Sequence, residues 1–162
     1  MDKLYEESET GCCPRFNPDP WNEKEIVFNN KLFIKDKARS FLHIPLGFGK
    51  IMVKNMEMIK DADALNEKPL MLSDEESAWK TNIYIAVSKE VPGAEMTKIS
   101  GKFLTKVFEG HYKNMKNWIE EMKEYVKSKD KEIKKMYFFY TTCPNCAKVY
   151  GKNYTVILAE VR

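Results

Sequence analysis

A chain of 162 residues with 43% apolar side chains is the size of one domain able to bury a core of its own. Its 27 Lys+Arg against 24 Asp+Glu leave a net charge of +3 with the two signs interspersed, so no basic patch is formed and no nucleic-acid partner is expected. No run of 18 apolar residues occurs and Met1–Glu7 has no basic-then-apolar leader, which predicts a cytoplasmic protein with no membrane partner, its thiols kept reduced.

Residues 1–24 are polar and carry Pro14, Pro18 and Pro20, which reads as an extended arm anchored by Phe16, Trp21, Cys12 and Cys13. Residues 25–162 are expected to form a single α+β domain. It opens with a hairpin in which Ile26-Val27-Phe28 and Leu32-Phe33-Ile34 flank an Asn29-Asn30 turn.

A strand, a Gly-containing turn and a helix then occur twice. The first unit runs from Phe41 through Pro45 and Gly47 to Lys50, the second from Phe103 through Glu109 and Gly110 to Lys113. In the second helix Met115, Trp118, Ile119, Met122, Tyr125 and Val126 form one apolar stripe at helical period. In the first, Phe48, Met52, Met56 and Ile59 stand 63 positions before His111, Met115, Ile119 and Met122 (48 to 111, 59 to 122). The two modules, about 36–92 and 94–162, are each expected to read strand-helix-strand-strand in a twisted antiparallel sheet. The later strands are residues 82–88, with Ile83, Ile85 and Val87 on one side, then 136–140 and 154–159. The polar run Ser73-Asp74-Glu75-Glu76-Ser77 reads as a solvated loop or a short capped turn, placed where it could cover a pocket mouth.

This duplicated pattern, carried by Gly101-Lys102-Phe103 through Glu109-Gly110-His111-Tyr112 to Trp118, resembles the GyrI-like small-molecule-binding superfamily. Two longer strings are similar to an uncharacterised prokaryotic group labelled "hydrolase": Cys12-Cys13-Pro14-Arg15-Phe16-Asn17-Pro18-Asp19-Pro20-Trp21, and Tyr140-Thr141-Thr142-Cys143-Pro144-Asn145-Cys146 continuing to Tyr154. The resemblance implies an aromatic-lined cleft for flat, apolar or cationic organic ligands or, in one branch, reactive electrophiles opened by water. The cysteine pairs are not a general feature of the superfamily, and no helix-turn-helix segment precedes the module.

Cys143-Pro144-Asn145-Cys146 lies between two strands, where a Cys-X-X-Cys knuckle presents two thiolates at a separation that suits tetrahedral zinc. Cys12 and Cys13 are the other two cysteines, and the arm could carry them to the knuckle to complete a Zn2+ site. Adjacent cysteines project in different directions, so His43 or His111 is the alternative ligand. A glutaredoxin-like redox pair, separate thiols and disulfides are the competing readings; only 16 residues follow Cys146, too few for a thioredoxin-like fold.

Glu109, ending a strand beside Gly110, is the candidate general base or cation partner, with Tyr140 as its phenolic neighbour and His43 for proton transfer. An exposed Glu paired with a lysine is the plainer reading, and Glu160 a second choice. Trp79, Tyr84, Tyr112 and His111 are the candidate ligand-binding residues, since rings stack on flat ligands and attract cations. Trp118, on the helix stripe, is expected in the core. The functional expectation is a small-molecule-binding domain that activates water on an organic substrate. The alternatives are a ligand-sequestering protein and a thiol or zinc chemistry at Cys143 and Cys146. A homo-oligomer is compatible with the sequence. If the four cysteines share one ion, protein purified without added zinc contains about one equivalent by elemental analysis; metal-free protein whose four thiols all titrate freely overturns the cluster.

Overall fold

The computed structural model describes residues 17–41, 44–45, 48–66, 70–77, 79–140 and 154–162. The four cysteines and His43 lie outside them. The elements are β1 (Lys24–Phe41), β2 (Ile44–Pro45), α1 (Phe48–Asp61), β3 (Met71–Ser77), β4 (Lys80–Ala86), β5 (Met96–Glu109), a 3-10 turn at Tyr112–Asn114, α2 (Met115–Ser128), β6 (Ile133–Tyr140) and β7 (Tyr154–Val161). The class is α+β, and β1–β2, β1–β4, β3–β4, β5–β7 and β6–β7 all pair antiparallel. Contacts divide the chain into two compact units: Asn29–Ser100, and Gly101–Arg162 with the described part of Asp2–Phe28.

In the first unit β4 pairs on one side with β1, from Phe33↔Ala86 to Arg39↔Lys80, and on the other with β3, from Met71↔Ile85 to Ser77↔Lys80. Because side chains alternate across a strand, this register sorts the residues into two faces. Ile34, Ala38, Ile83, Ile85 and Val87 cluster with Ile59 and Ala64, and Met56 and Met58 of α1 pack against them. Burying a side chain such as Ile59 stabilises by about 1.5–3 kcal/mol relative to exposure. The opposite face carries Phe33, Leu72, Asp74, Asn82, Tyr84 and Ala86, all buried.

In the second unit β7 lies between β5 and β6. The stripe of α2 buries Trp118, Met122, Tyr125 and Val126 against Leu104, Phe108, Phe138, Ile157 and Ala159. Trp118 stacks on Phe108 with centroids 5.7 Å apart. The segment before β1 is fastened along β5: Thr105 Oγ1 donates to the Trp21 carbonyl, Val107 N donates to Asn22 Oδ1 at 3.3 Å, and Trp21 meets Phe139 edge-on at 5.5 Å. Burial, and then the negative charge of Glu23, raise the Tyr125 phenol above its usual 10.0.

The stripe of α2, Met56 and Ile59 of α1, and the single face of Ile83, Ile85 and Val87 match the sequence expectation. Two local expectations are corrected. Asn29-Asn30 is no hairpin turn, because β1 runs through it; Asn30 takes a φ of 51°, a left-handed conformation that asparagine tolerates. Its amide donates to Ser100 Oγ at 2.8 Å. Residues 73–77 are not a loop but most of β3, because pairing of Ser73, Asp74, Glu75 and Ser77 with β4, across a bulge at Glu76, overrides the weak strand propensity of Asp and Glu. Among the described residues no helix is long and apolar enough to cross a membrane.

Candidate functional site

The most chemically distinctive cluster in the first unit is built by the β3–β4 register. Asp74 and Asn82 are direct partners, and Tyr84 stands opposite Leu72, two residues before Asp74 on the same face. Strand alternation therefore brings a carboxylate, an amide and a phenol to adjacent positions on the face turned away from α1. Asp74 is only 4% exposed. Tyr84 donates its O–H to Asp74 Oδ2 at 2.7 Å, and Asn82 Nδ2 donates to Asp74 Oδ1 at 2.8 Å. Each carboxylate oxygen thus has a donor, as burying an anion requires.

Asn82 is 8% exposed, and no described group donates to its Oδ1. Phe33 lies edge-on to Tyr84, with centroids 6.5 Å apart and planes at 83°, so an aromatic wall adjoins the polar cluster. Trp79, in the turn between β3 and β4, is 58% exposed. Apart from that cluster, a concavity of about 330 Å³ in this unit is lined by Asp36, Lys54, Asn55 and Glu95 among others. There Asp36 already accepts from Asn55 Nδ2 and Lys37 N, each at 2.8 Å, with Lys54 Nζ at 3.9 Å.

The residues singled out from sequence fall as follows. Tyr84 belongs to the Asp74 cluster, and Trp79 is a surface ring of the same unit. Glu109 is exposed at the last position of β5, opposite Tyr154. Gly110 follows at φ 134°, and then His111, exposed, whose Nδ1 accepts from Lys113 N at 3.0 Å. Tyr112 opens the 3-10 turn, and Tyr140 ends β6 opposite Thr155. Glu160 is half-buried beside Gly101 in the second unit. His43, Cys12, Cys13, Cys143 and Cys146 lie outside the described residues. Among the described residues no three His, Cys, Asp or Glu side chains stand close enough together to hold a metal ion. Asp74 and Asn82 were not found by sequence reasoning. The available signal was the alternation Leu70, Leu72, Asp74, which continues one strand face into the polar run.

Solved structures with this architecture define the class. A hydrolase from Listeria innocua matches with a TM-score of 0.63 at 10% identity, over 88% of this chain and 92% of that one. The C-terminal domain of EcmrR, a protein also solved in complex with DNA, matches with a TM-score of 0.63 at 12% identity, over 86% and 94%. SAV2435 bound to tetraphenylphosphonium matches with a TM-score of 0.50 at 16% identity, over 86% and 93%. The fold is that of the GyrI-like domains. By sequence the chain belongs to the bacterial hydrolase family, whose profile matches residues 3–161. No curated protein is similar enough in sequence to match it.

If the Tyr84 O–H helps to hold the buried Asp74 charge, Tyr84→Phe lowers stability by about 1–3 kcal/mol in urea unfolding, the usual range for removing a donor from a buried charged acceptor. A loss below about 0.3 kcal/mol would show that the phenol contributes little.

Proposed function

We propose that this protein binds a small organic cation in its first unit, with the Asp74 carboxylate as counter-charge and the Phe33 and Tyr84 rings beside it. The observation that carries the reading is a carboxylate 4% exposed, held in place by Tyr84 and Asn82. Desolvating an anion is costly, so fixing one inside a sheet favours a partner of opposite charge, and that attraction is strengthened by the low local dielectric. The buried Tyr84 ring beside the carboxylate, with Phe33 edge-on to it, surrounds the charge with aromatic rather than aqueous neighbours. The tetraphenylphosphonium bound to SAV2435, a protein of the same fold, supports a cation as the ligand. The test is calorimetric titration of tetraphenylphosphonium into wild type and Asp74→Asn, with circular dichroism to confirm folding. Removing the charge should weaken binding by at least about tenfold, or about 1.4 kcal/mol; equal affinities for the two proteins remove Asp74 from the site.

Hydrolysis is the second reading, favoured by membership of the bacterial hydrolase family. Glu109, exposed where β5 ends, has the access to water that a general base on an organic electrophile requires, with Tyr140 of the same unit as its proposed partner. Turnover of an activated ester or epoxide should then fall at least about 100-fold in Glu109→Gln while ligand affinity is unchanged. The same rate in both proteins would refute that role.

A further inference from the structure

The concavity beside α1 is separate from the Asp74 cluster. Asp36 pairs with Ile83 and so shares the face of the sheet that packs on α1, whereas Asp74 and Asn82 lie on the opposite face. Its volume of about 330 Å³ is room for one ring-sized ligand, near the lower end of ligand pockets at roughly 300–1,000 Å³. Asn55, on its wall, is only 2% exposed. Both hydrogen bonds of that side chain use Nδ2, which donates to Asp36 Oδ2 and to the Ile51 carbonyl, each at 2.8 Å. Turning the amide over would set its oxygen against two acceptors, so the orientation is fixed and Oδ1 is left without a donor among the described residues.

The charges around this oxygen have mixed signs. Lys54 Nζ stands 3.9 Å from Asp36 Oδ2, close enough to attract but beyond hydrogen-bond length. Glu95, exposed at the rim, has no ion pair among the described residues. A cationic ligand would meet the Lys54 ammonium, and an anionic one the Asp36 and Glu95 carboxylates. A hydroxyl suits both neighbours, since it donates to a carboxylate or an amide oxygen while accepting from an ammonium. Met58 and Ala94 add apolar wall for the C–H face of a ring. We propose that this concavity is a second binding site, for a neutral polyhydroxylated ligand of the sugar or polyol class, with Asn55 Oδ1 and Asp36 accepting from its hydroxyls and Lys54 donating to one.

The experiment titrates the nitrogen-15-labelled full chain by NMR with glycerol, myo-inositol and the methyl glycosides of glucose, galactose, mannose and ribose, beside methylammonium chloride and sodium acetate. At least one neutral probe should move the Asn55 side-chain amide and the Lys37 and Ala94 backbone amides along a saturating curve, with a Kd below about 10 mM. Asn55→Leu, which removes Oδ1, and Ala94→Phe, which fills the concavity from the loop, should each weaken that probe at least about fivefold. Absence of saturating shifts with every neutral probe overturns the site. Unchanged affinity in both variants overturns it by placing the probe elsewhere, and equal or tighter binding of methylammonium or acetate overturns the choice of a neutral ligand. Should Asn55→Leu fail to fold, Lys54→Ala, at an exposed helix position, is read in the same way. None of these outcomes bears on Asp74.

Discussion

Keeping the Asp74 carboxylate inside the sheet is the constraint on which the first unit turns. A lone anion shielded from water is unstable by several kcal/mol, and it is tolerated only where donors of fixed geometry meet both oxygens. Those donors come from the neighbouring strand, Tyr84 and Asn82 of β4, so the carboxylate depends on the β3–β4 register. A slip of one residue would exchange Asn82 and Tyr84 for Ile83 and Ile85. The same slip would turn the apolar residues away from Ile59 and α1. The polar cluster and the hydrophobic core of this unit are thus two outcomes of a single pairing.

The second unit is built differently. Ring contacts hold it together: Phe108 stacks on Trp118, and Phe103 meets both Tyr137 and the half-buried Phe28. The fastening of Trp21 and Asn22 along β5 uses a carbonyl and a side-chain amide to meet groups of a strand that would otherwise need water. Glu109, His111 and Tyr112 cluster in sequence where this strand gives way to α2, around a Gly110 whose φ of 134° suits glycine. Access to solvent, rather than burial, is what that segment offers to chemistry.

Family and fold carry different weights in assigning a role. The family is named for hydrolysis, but the name by itself gives no nucleophile or base. Fold relatives include the C-terminal domain of a protein solved with DNA and a protein solved with an organic cation, so one architecture serves more than one task. The functional argument accordingly rests on particular atoms: the oxygens of Asp74 and the exposed carboxylate of Glu109.

Much of the core could be read along the chain because its signals are local. The stripe from Met115 to Val126 lies within one helix, and Ile83, Ile85 and Val87 within a few residues of one strand, so periodicity alone places them. The sequence also carried the resemblance to GyrI-like domains, through its strand, glycine turn and helix. It misled where local chemistry points one way and tertiary pairing the other. Asn29-Asn30 has turn composition, yet one left-handed residue lets β1 pass through it. Ser73 to Ser77 is polar enough for a loop, yet β4 supplies it with ladder partners, and only that pairing sets Asp74 beside Asn82 and Tyr84. Which residues form the site was decided by strand register, a relation between segments eight to ten residues apart that neither segment encodes alone.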